Sequence, residues 1–201
     1  MTLSTGIGRS VGRIIDAIVS VLAAMRVHPN ILTSVGLGIN IWAAAQFAIG
    51  NFFNAGLIVI FAGLFDMLDG RVARLTNRVS RFGGFLDSAL DRYSDLGVLI
   101  GLLVYYASIN RFLYIVVTAI AMTGTVMVSY TRARAENTIP KCKVGFMERP
   151  ERVVLVVIGA LFNHMAPVLW ILATFTNITA LGRIMFTYGE TKRLDAIAQP
   201  Q

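Results

Sequence analysis

Apolar residues fall in long blocks along this chain, separated by short polar or basic connectors. Ile31 to about Gly50 is apolar except for Thr33, Ser34, Asn40 and Gln46. At about 1.5 Å of rise per residue, a helix of that length crosses a bilayer core. A tight return is predicted at Asn51. The second span runs from near Phe52 through Ile60, and its last turns carry Asp66, Asp69 and Arg74. The third starts near Arg81, carries Asp87 and Asp91, and continues through the apolar run Leu96 to Tyr106. Arg111 marks the next turn, and a fourth span from Phe112 to about Tyr130 ends in the basic sequence TRARAE. The fifth apolar run, Val153 to Phe162, is short and takes its first turns from Arg149 to Arg152; Asn163 and His164 close it. The sixth, Met165 to about Phe186, includes Asn177, Thr179 and Arg183.

Ahead of the spans, residues 10 to 26 read SVGRIIDAIVSVLAAMR. The run between Asp16 and Arg26 is too short to cross, so an amphipathic helix at the membrane surface is expected. It stops at His28-Pro29-Asn30, where proline restricts the residue before it and Asn30 is expected to cap the first span. The pattern thus predicts an all-α integral membrane protein with six transmembrane helices preceded by an N-terminal amphipathic interfacial helix. It is expected to form a single domain over 1–201, with a juxtamembrane segment 1–28, a core 29–188 and a polar tail 189–201. No internal repeat or low-complexity segment is evident.

Composition agrees with this reading. With 56% hydrophobic and 14% charged residues and a mean hydropathy of +0.68, a soluble fold of this size would leave far too much apolar surface in water. Residues 1 to 13 are polar and contain glycine, which does not fit a cleavable signal. The single cysteine, Cys142, excludes an internal disulfide. The net charge of +7 resides in the connectors, as membrane orientation requires and nucleic-acid binding does not. Connectors on the side of the termini hold nearly all the lysines and arginines, and the opposite ones hold Arg111 alone. Both termini and the acidic stretch are therefore expected on the cytoplasmic face of the cytoplasmic (inner) membrane.

The chemistry concentrates between Asp66 and Asp95, DMLDGRVARLTNRVSRFGGFLDSALDRYSD. Asp66 with Asp69, and Asp87 with Asp91, sit three and four residues apart, so each pair faces one side of its own helix. The basic connector Arg71 to Arg81 is expected to fold one pair back against the other. Four carboxylates so gathered repel one another and need cations. Oxygen ligands suit one or two hard ions, Mg²⁺ or Mn²⁺, which typically act on phosphates. Gly63, Gly70, Ala73, Gly83 and Gly84 leave room for close approach of backbone or ligand. Arg74 can pair with a carboxylate or a phosphate. Two other readings exist: interfacial acids neutralised by nearby arginines without metal, and the filter of a divalent-cation carrier. Four acids in register argue against the first, and the lack of a matching acid in the outer half argues against the second.

Asp95 lies one turn further and is expected to pair with Arg92. Lys141 and Lys143 fit a solvated basic collar. Arg152 and Arg183 lie near or within apolar helices, where an unpaired guanidinium is costly, so an anionic ligand is expected there.

The string Asp66-x-x-Asp69-Gly70-x-x-Ala73-Arg74, eight residues, Gly83-x-x-x-Asp87-x-x-x-Asp91 resembles the signature of the CDP-alcohol phosphotransferases at all eight fixed positions. HPNILT before the first span is similar to the Pro-Asn-x-x-Thr element of that family. The resemblance implies transfer of a phosphatidyl group from CDP-diacylglycerol or a similar CDP-lipid to a small alcohol, with release of CMP. It implies a homodimer and, as metal ligands for two ions, Asp66, Asp69, Asp87 and Asp91, with Asp91 also the general base. Pro29, Asn30, Thr33, Asp69, Gly70, Ala73, Arg74 and Gly83 would border the nucleotide. GFMERPERVVLVVIGA resembles the Glu-Arg-Pro-x-Arg segment of the prokaryotic phosphatidylinositol-phosphate synthases, although PKCKV lacks the acidic, glycine-rich run of that subgroup. By that likeness Arg134, Arg152 and Arg183 would grip the phosphate of inositol phosphate. Glycerol 3-phosphate, free inositol and serine are the alternative acceptors.

Overall fold

The computed structural model describes residues 15–198, and every regular element in them is a helix. These are α1 (Ile15–Ala24), then α2 (Pro29–Ala48), α3 (Phe52–Leu75), α4 (Arg81–Ser108), α5 (Phe112–Ala135), α6 (Arg149–Leu161) and α7 (Met165–Ala198). The expected amphipathic segment began at residue 10, and its first five residues lie outside the described part.

Helix ends follow local chemistry. His28, not Asn30, caps α2: its extended backbone precedes Pro29 at the first helical position, and its Nδ1 accepts from the Asn30 N–H at 3.3 Å. Ser80 caps α4, its Oγ accepting from the Gly83 N–H at 2.9 Å. Asn77, Asn110 and Asn163 take left-handed backbone just past α3, α4 and α6, a conformation asparagine tolerates better than most residues.

Two helices exceed their predicted limits. α5 continues to Ala135 rather than stopping at Tyr130, and α7 runs 34 residues, through the segment expected only as a polar tail. Glu190, Lys192, Arg193 and Leu194 are good helix formers, and Arg193 pairs with Glu190 one turn back at 3.6 Å.

Among the described residues, α2, α3, α5 and α7 are long and apolar enough to cross a membrane. α4 has 28 residues, but charged side chains occupy its first half. α6, with 13 residues, reaches about 20 Å, short of a bilayer core of about 30 Å.

α2 packs on both α3 and α4, α5 on α7 and α4, and α6 on α3 and α7. Phe47, Phe52, Leu102, Val117, Leu169 and Leu172 form the shared core. Gly101 is obligatory at the crossing of α4 over α2: a Cβ there would lie 2.2 Å from the Ala44 carbonyl oxygen. The outer surface stays apolar, with Trp42, Phe53, Phe61, Leu113, Trp170 and Leu181 all exposed. Burial of one helix stripe inside and an apolar ring outside is the arrangement expected in lipid. A smaller cluster of Val19, Leu32, Leu68 and Val72 seats α1 against α2 and α3.

Candidate active site

The acidic pairs sit where α3 and α4 meet the short connector 76–80. Arg71, expected at the start of the connector, is in the last turns of α3 together with Arg74, expected there. Because both helices lean on α2 rather than closely on each other, their acidic sides face across a gap. Asp69 experiences the charges of Asp87 and Asp66, and Asp91 those of Asp87, Asp66 and Asp95. The four acids thus lie within range of one another's charge.

Each acid is held differently. Asp69 is buried, and its Oδ2 accepts from Thr33 Oγ1 on α2 at 2.8 Å. Asp66 approaches α2 at Gly36, where a Cβ would stand 3.1 Å from Asp66 Oδ1. A larger residue than glycine there would push the carboxylate aside. Asp66 and Asp91 are joined by Arg149 at the start of α6, whose Nη2 lies 2.7 Å from Asp66 Oδ2 and 2.9 Å from Asp91 Oδ1. Arg149 Nε is 3.7 Å from Asp95 Oδ1.

Asp95 does not pair with Arg92. Its Oδ2 accepts from Arg152 Nη2, whereas Arg92 reaches the Ser88 carbonyl and, at 3.9 Å, Asp91. The side chain of Asp95 is turned toward α6, and Arg92 lies on another side of α4. Arg152 thus finds its countercharge within the chain. So does Arg183, which is 1% exposed: its guanidinium donates to the Val128 carbonyl, to the Val144 carbonyl at 2.8 Å and to Glu148 Oε1 at 2.9 Å. Both guanidinium charges therefore have a carboxylate partner within the chain, while Arg152 Nε is left without a hydrogen-bond partner. Arg134 is exposed at the end of α5.

Two cavities open at the acids. The first, about 280 Å³, is lined by every residue expected at the nucleotide: Pro29, Asn30, Thr33, Asp69, Gly70, Ala73, Arg74 and Gly83, together with Asp87. Gly84 also lines it, and nothing lies within 4 Å of where its Cβ would be. The second, about 370 Å³, is lined by Asp66, Asp95, Arg149 and Arg152 at its polar end and descends among Val59, Val98 and Leu172. Thr125 Oγ1, Arg149 Nε and Arg152 Nε border it, and all three are buried without hydrogen-bond partners.

A family model described as CDP-alcohol phosphatidyltransferase matches residues 26–187. The chain belongs to this family. It is a transferase and, as its helices indicate, a membrane-type protein. The archaetidylinositol phosphate synthase of Pyrococcus horikoshii is 36% identical over 90% of this chain and 93% of its own. The phosphatidylinositol phosphate synthase of Mycobacterium tuberculosis is 34% identical over 94% and 92%. A crystal structure of that mycobacterial enzyme with CDP-DAG bound superposes with a TM-score of 0.81 at 31% identity, covering 88% of this chain and 94% of the other. Another, in complex with manganese and citrate, gives 0.80 at 32%, covering 87% and 88%.

For a phosphatidyltransferase that handles a diphosphate, the donor set fits a hard divalent cation: carboxylate oxygens only, from two helices, already bridged by a cationic nitrogen. As the side chains stand, no three acidic, histidine or cysteine groups among the described residues are arranged to hold a metal together. Arg149 lies between two of them. Sequence reasoning placed Arg149 among the basic residues on the side of the acidic site but missed its pairing with Asp66 and Asp91, and it missed Glu148 and Gly36. The ERPER string offered a signal for Arg149 and Glu148, since it clusters charges at the mouth of an apolar helix. Nothing local marks Gly36.

Proposed function

We propose that this transferase moves the phosphatidyl-type group of a CDP-linked lipid onto inositol phosphate and releases CMP. The observation that carries the proposal is a pair of cavities each lined by aspartates of the cluster, one by Asp69 and Asp87 with other signature residues, the second by Asp66 and Asp95 with Arg149 and Arg152. The two relatives named above are an archaetidylinositol phosphate synthase and a phosphatidylinositol phosphate synthase; their names share a lipid-linked inositol phosphate, which supports the acceptor, and differ in the lipid part.

In this reading the first cavity takes the cytidine and diphosphate. Gly70, Ala73, Gly83 and Gly84 leave space for it, Pro29, Asn30 and Thr33 form its α2 wall, and Arg74 offers charge to phosphate oxygens. Asp66, Asp69, Asp87 and Asp91 hold the divalent cations, two Mg²⁺ or Mn²⁺. When bound, such ions neutralise the diphosphate and the departing CMP. Thr33 fixes Asp69 and so keeps one carboxylate aimed at the gap. Asp91 accepts the proton of the acceptor hydroxyl as its oxygen attacks the lipid-side phosphorus and the bond to CMP breaks.

The acceptor enters from the second cavity, where Arg152 presents a buried, partly unsatisfied guanidinium to its phosphate and Arg134 stands at the rim. Arg183 contributes as a positioning residue through Glu148 and the loop before α6. The chain forms one domain over 1–201. In the membrane, α2 to α7 would be the six spans, with α6 completed by the ordered loop before it and α1 lying at the interface. Both termini and the site face the cytoplasm across the inner membrane, and the protein is a homodimer.

The proposal is tested by CMP release from CDP-diacylglycerol with Mg²⁺ when inositol phosphate, glycerol 3-phosphate, inositol and serine are offered separately. Release with inositol phosphate is expected, and preference for any of the other three would reject the acceptor assignment.

A further inference from the structure

One nitrogen of Arg149 does what a bridging cation does. Nη2 lies within 3 Å of oxygens from two helices, Asp66 Oδ2 on α3 and Asp91 Oδ1 on α4. The guanidinium is anchored only loosely on its other side, since Nε is buried without a hydrogen-bond partner and stands 3.7 Å from Asp95. Its side chain is 28% exposed at the second cavity, so it has both room and a second carboxylate to move toward. A guanidinium held on Asp66 Oδ2 and Asp91 Oδ1 and a divalent ion held on the same two carboxylates compete, because the two cations repel at such short range and draw on the same negative charge.

We infer that Arg149 is a built-in competitor for the metal: loading the carboxylates requires its guanidinium to leave Asp66 and Asp91 and turn toward Asp95 and the second cavity. This rests on the reading of the aspartates as metal ligands. It has a consequence for order. An anion in the second cavity gives the displaced guanidinium a partner, so phosphate there and metal on the aspartates strengthen one another, and by linkage the effect is reciprocal. Arg149 thereby couples the two cavities and keeps the four acids tolerable when no ion neutralises them.

The test is Mn²⁺ titration of purified protein followed by electron paramagnetic resonance, without substrates, in wild type, R149Q and R149K, with folding checked by gel filtration and circular dichroism. R149Q is expected to bind Mn²⁺ at least about fivefold more tightly, the lower end of ordinary coupling between sites, and to unfold at lower temperature than wild type in chelator. Inorganic phosphate is expected to tighten Mn²⁺ binding in wild type and not in R149Q. Equal or weaker Mn²⁺ binding by R149Q would overturn the inference and make Arg149 a support for the ligands. If R149Q does not fold, R149K decides on the same comparison, because lysine offers a single shorter-reaching ammonium in place of the fork. Absence of Mn²⁺ binding by wild type would instead reject the metal-site reading itself.

Discussion

At the residue scale, the ionisable groups of this site are distinguished by their partners. Asp69 is fixed from α2 by Thr33, whereas Asp91 is fixed only through Arg149 and a distant Arg92. A base must accept a proton and give it up again, and Asp91 has the less rigid surroundings of the two. Replacing Asp91 with asparagine preserves its shape and leaves Arg149 paired with Asp66, so the fold should survive. Turnover is expected to fall by about 10² to 10⁴, the usual contribution of a general base. CMP release at the wild-type rate from folded D91N would remove Asp91 from that role. The carboxylates, their spacing and the small residues between them were legible in the sequence because helical periodicity alone places them. Their arginine partners were not. Arg149 is 83 residues from Asp66, and Arg152 is 57 from Asp95. No local pattern encodes which of several basic residues closes on an acid at that separation. The pairing of Asp95 with Arg92 failed for the same reason, since nearness along a helix does not decide the direction in which a side chain points.

At the element scale, the starts near Phe52, Arg81, Phe112 and Met165 were legible, whereas the cap of α2 falls to His28 and not to Asn30. The ends of α5 and α7 were not legible, because there the helix leaves the apolar run without a stop signal. The loop between α5 and α6 shows how an apparently loose basic segment becomes ordered. Ile139 and Cys142 are buried beside Ala135, and Arg183 ties the Val144 carbonyl and Glu148 to α7 while also reaching the Val128 carbonyl of α5. Glu148 immediately precedes Arg149, so this clamp sets where α6 begins and where its two arginines lie. Arg183→Ala removes hydrogen bonds from a buried charged donor, worth about 1.5–3 kcal/mol each. It should free the loop, and trypsin cleavage at Lys141 or Lys143 should accelerate by about tenfold or more, the factor that the weakest such loss implies. An unchanged cleavage rate would show that the loop is held by its apolar contacts alone.

At the scale of the whole molecule, an apolar exterior surrounds a bundle whose polar groups collect at the end where α3 and α4 turn. Under the proposed function, this would let the lipid tails of a CDP-lipid remain in the bilayer while its diphosphate reaches the first cavity and a water-soluble acceptor the second. The membrane character and the family signature follow from composition and spacing. The division into two cavities does not, because it depends on α2 packing against both α3 and α4 and on α6 presenting its arginines from the far side. The central claim is that one molecule of acceptor is joined to lipid for each CMP released. The most direct measurement is therefore a paired count with Mg²⁺, CDP-diacylglycerol and phosphorus-labelled inositol phosphate: CMP in the aqueous phase against label extracted into lipid. Equal amounts, both lost on chelation, are predicted. CMP without lipid-bound label would mean hydrolysis rather than transfer, and movement of Mg²⁺ across a vesicle membrane with no CMP at all would mean a carrier, contradicting the account.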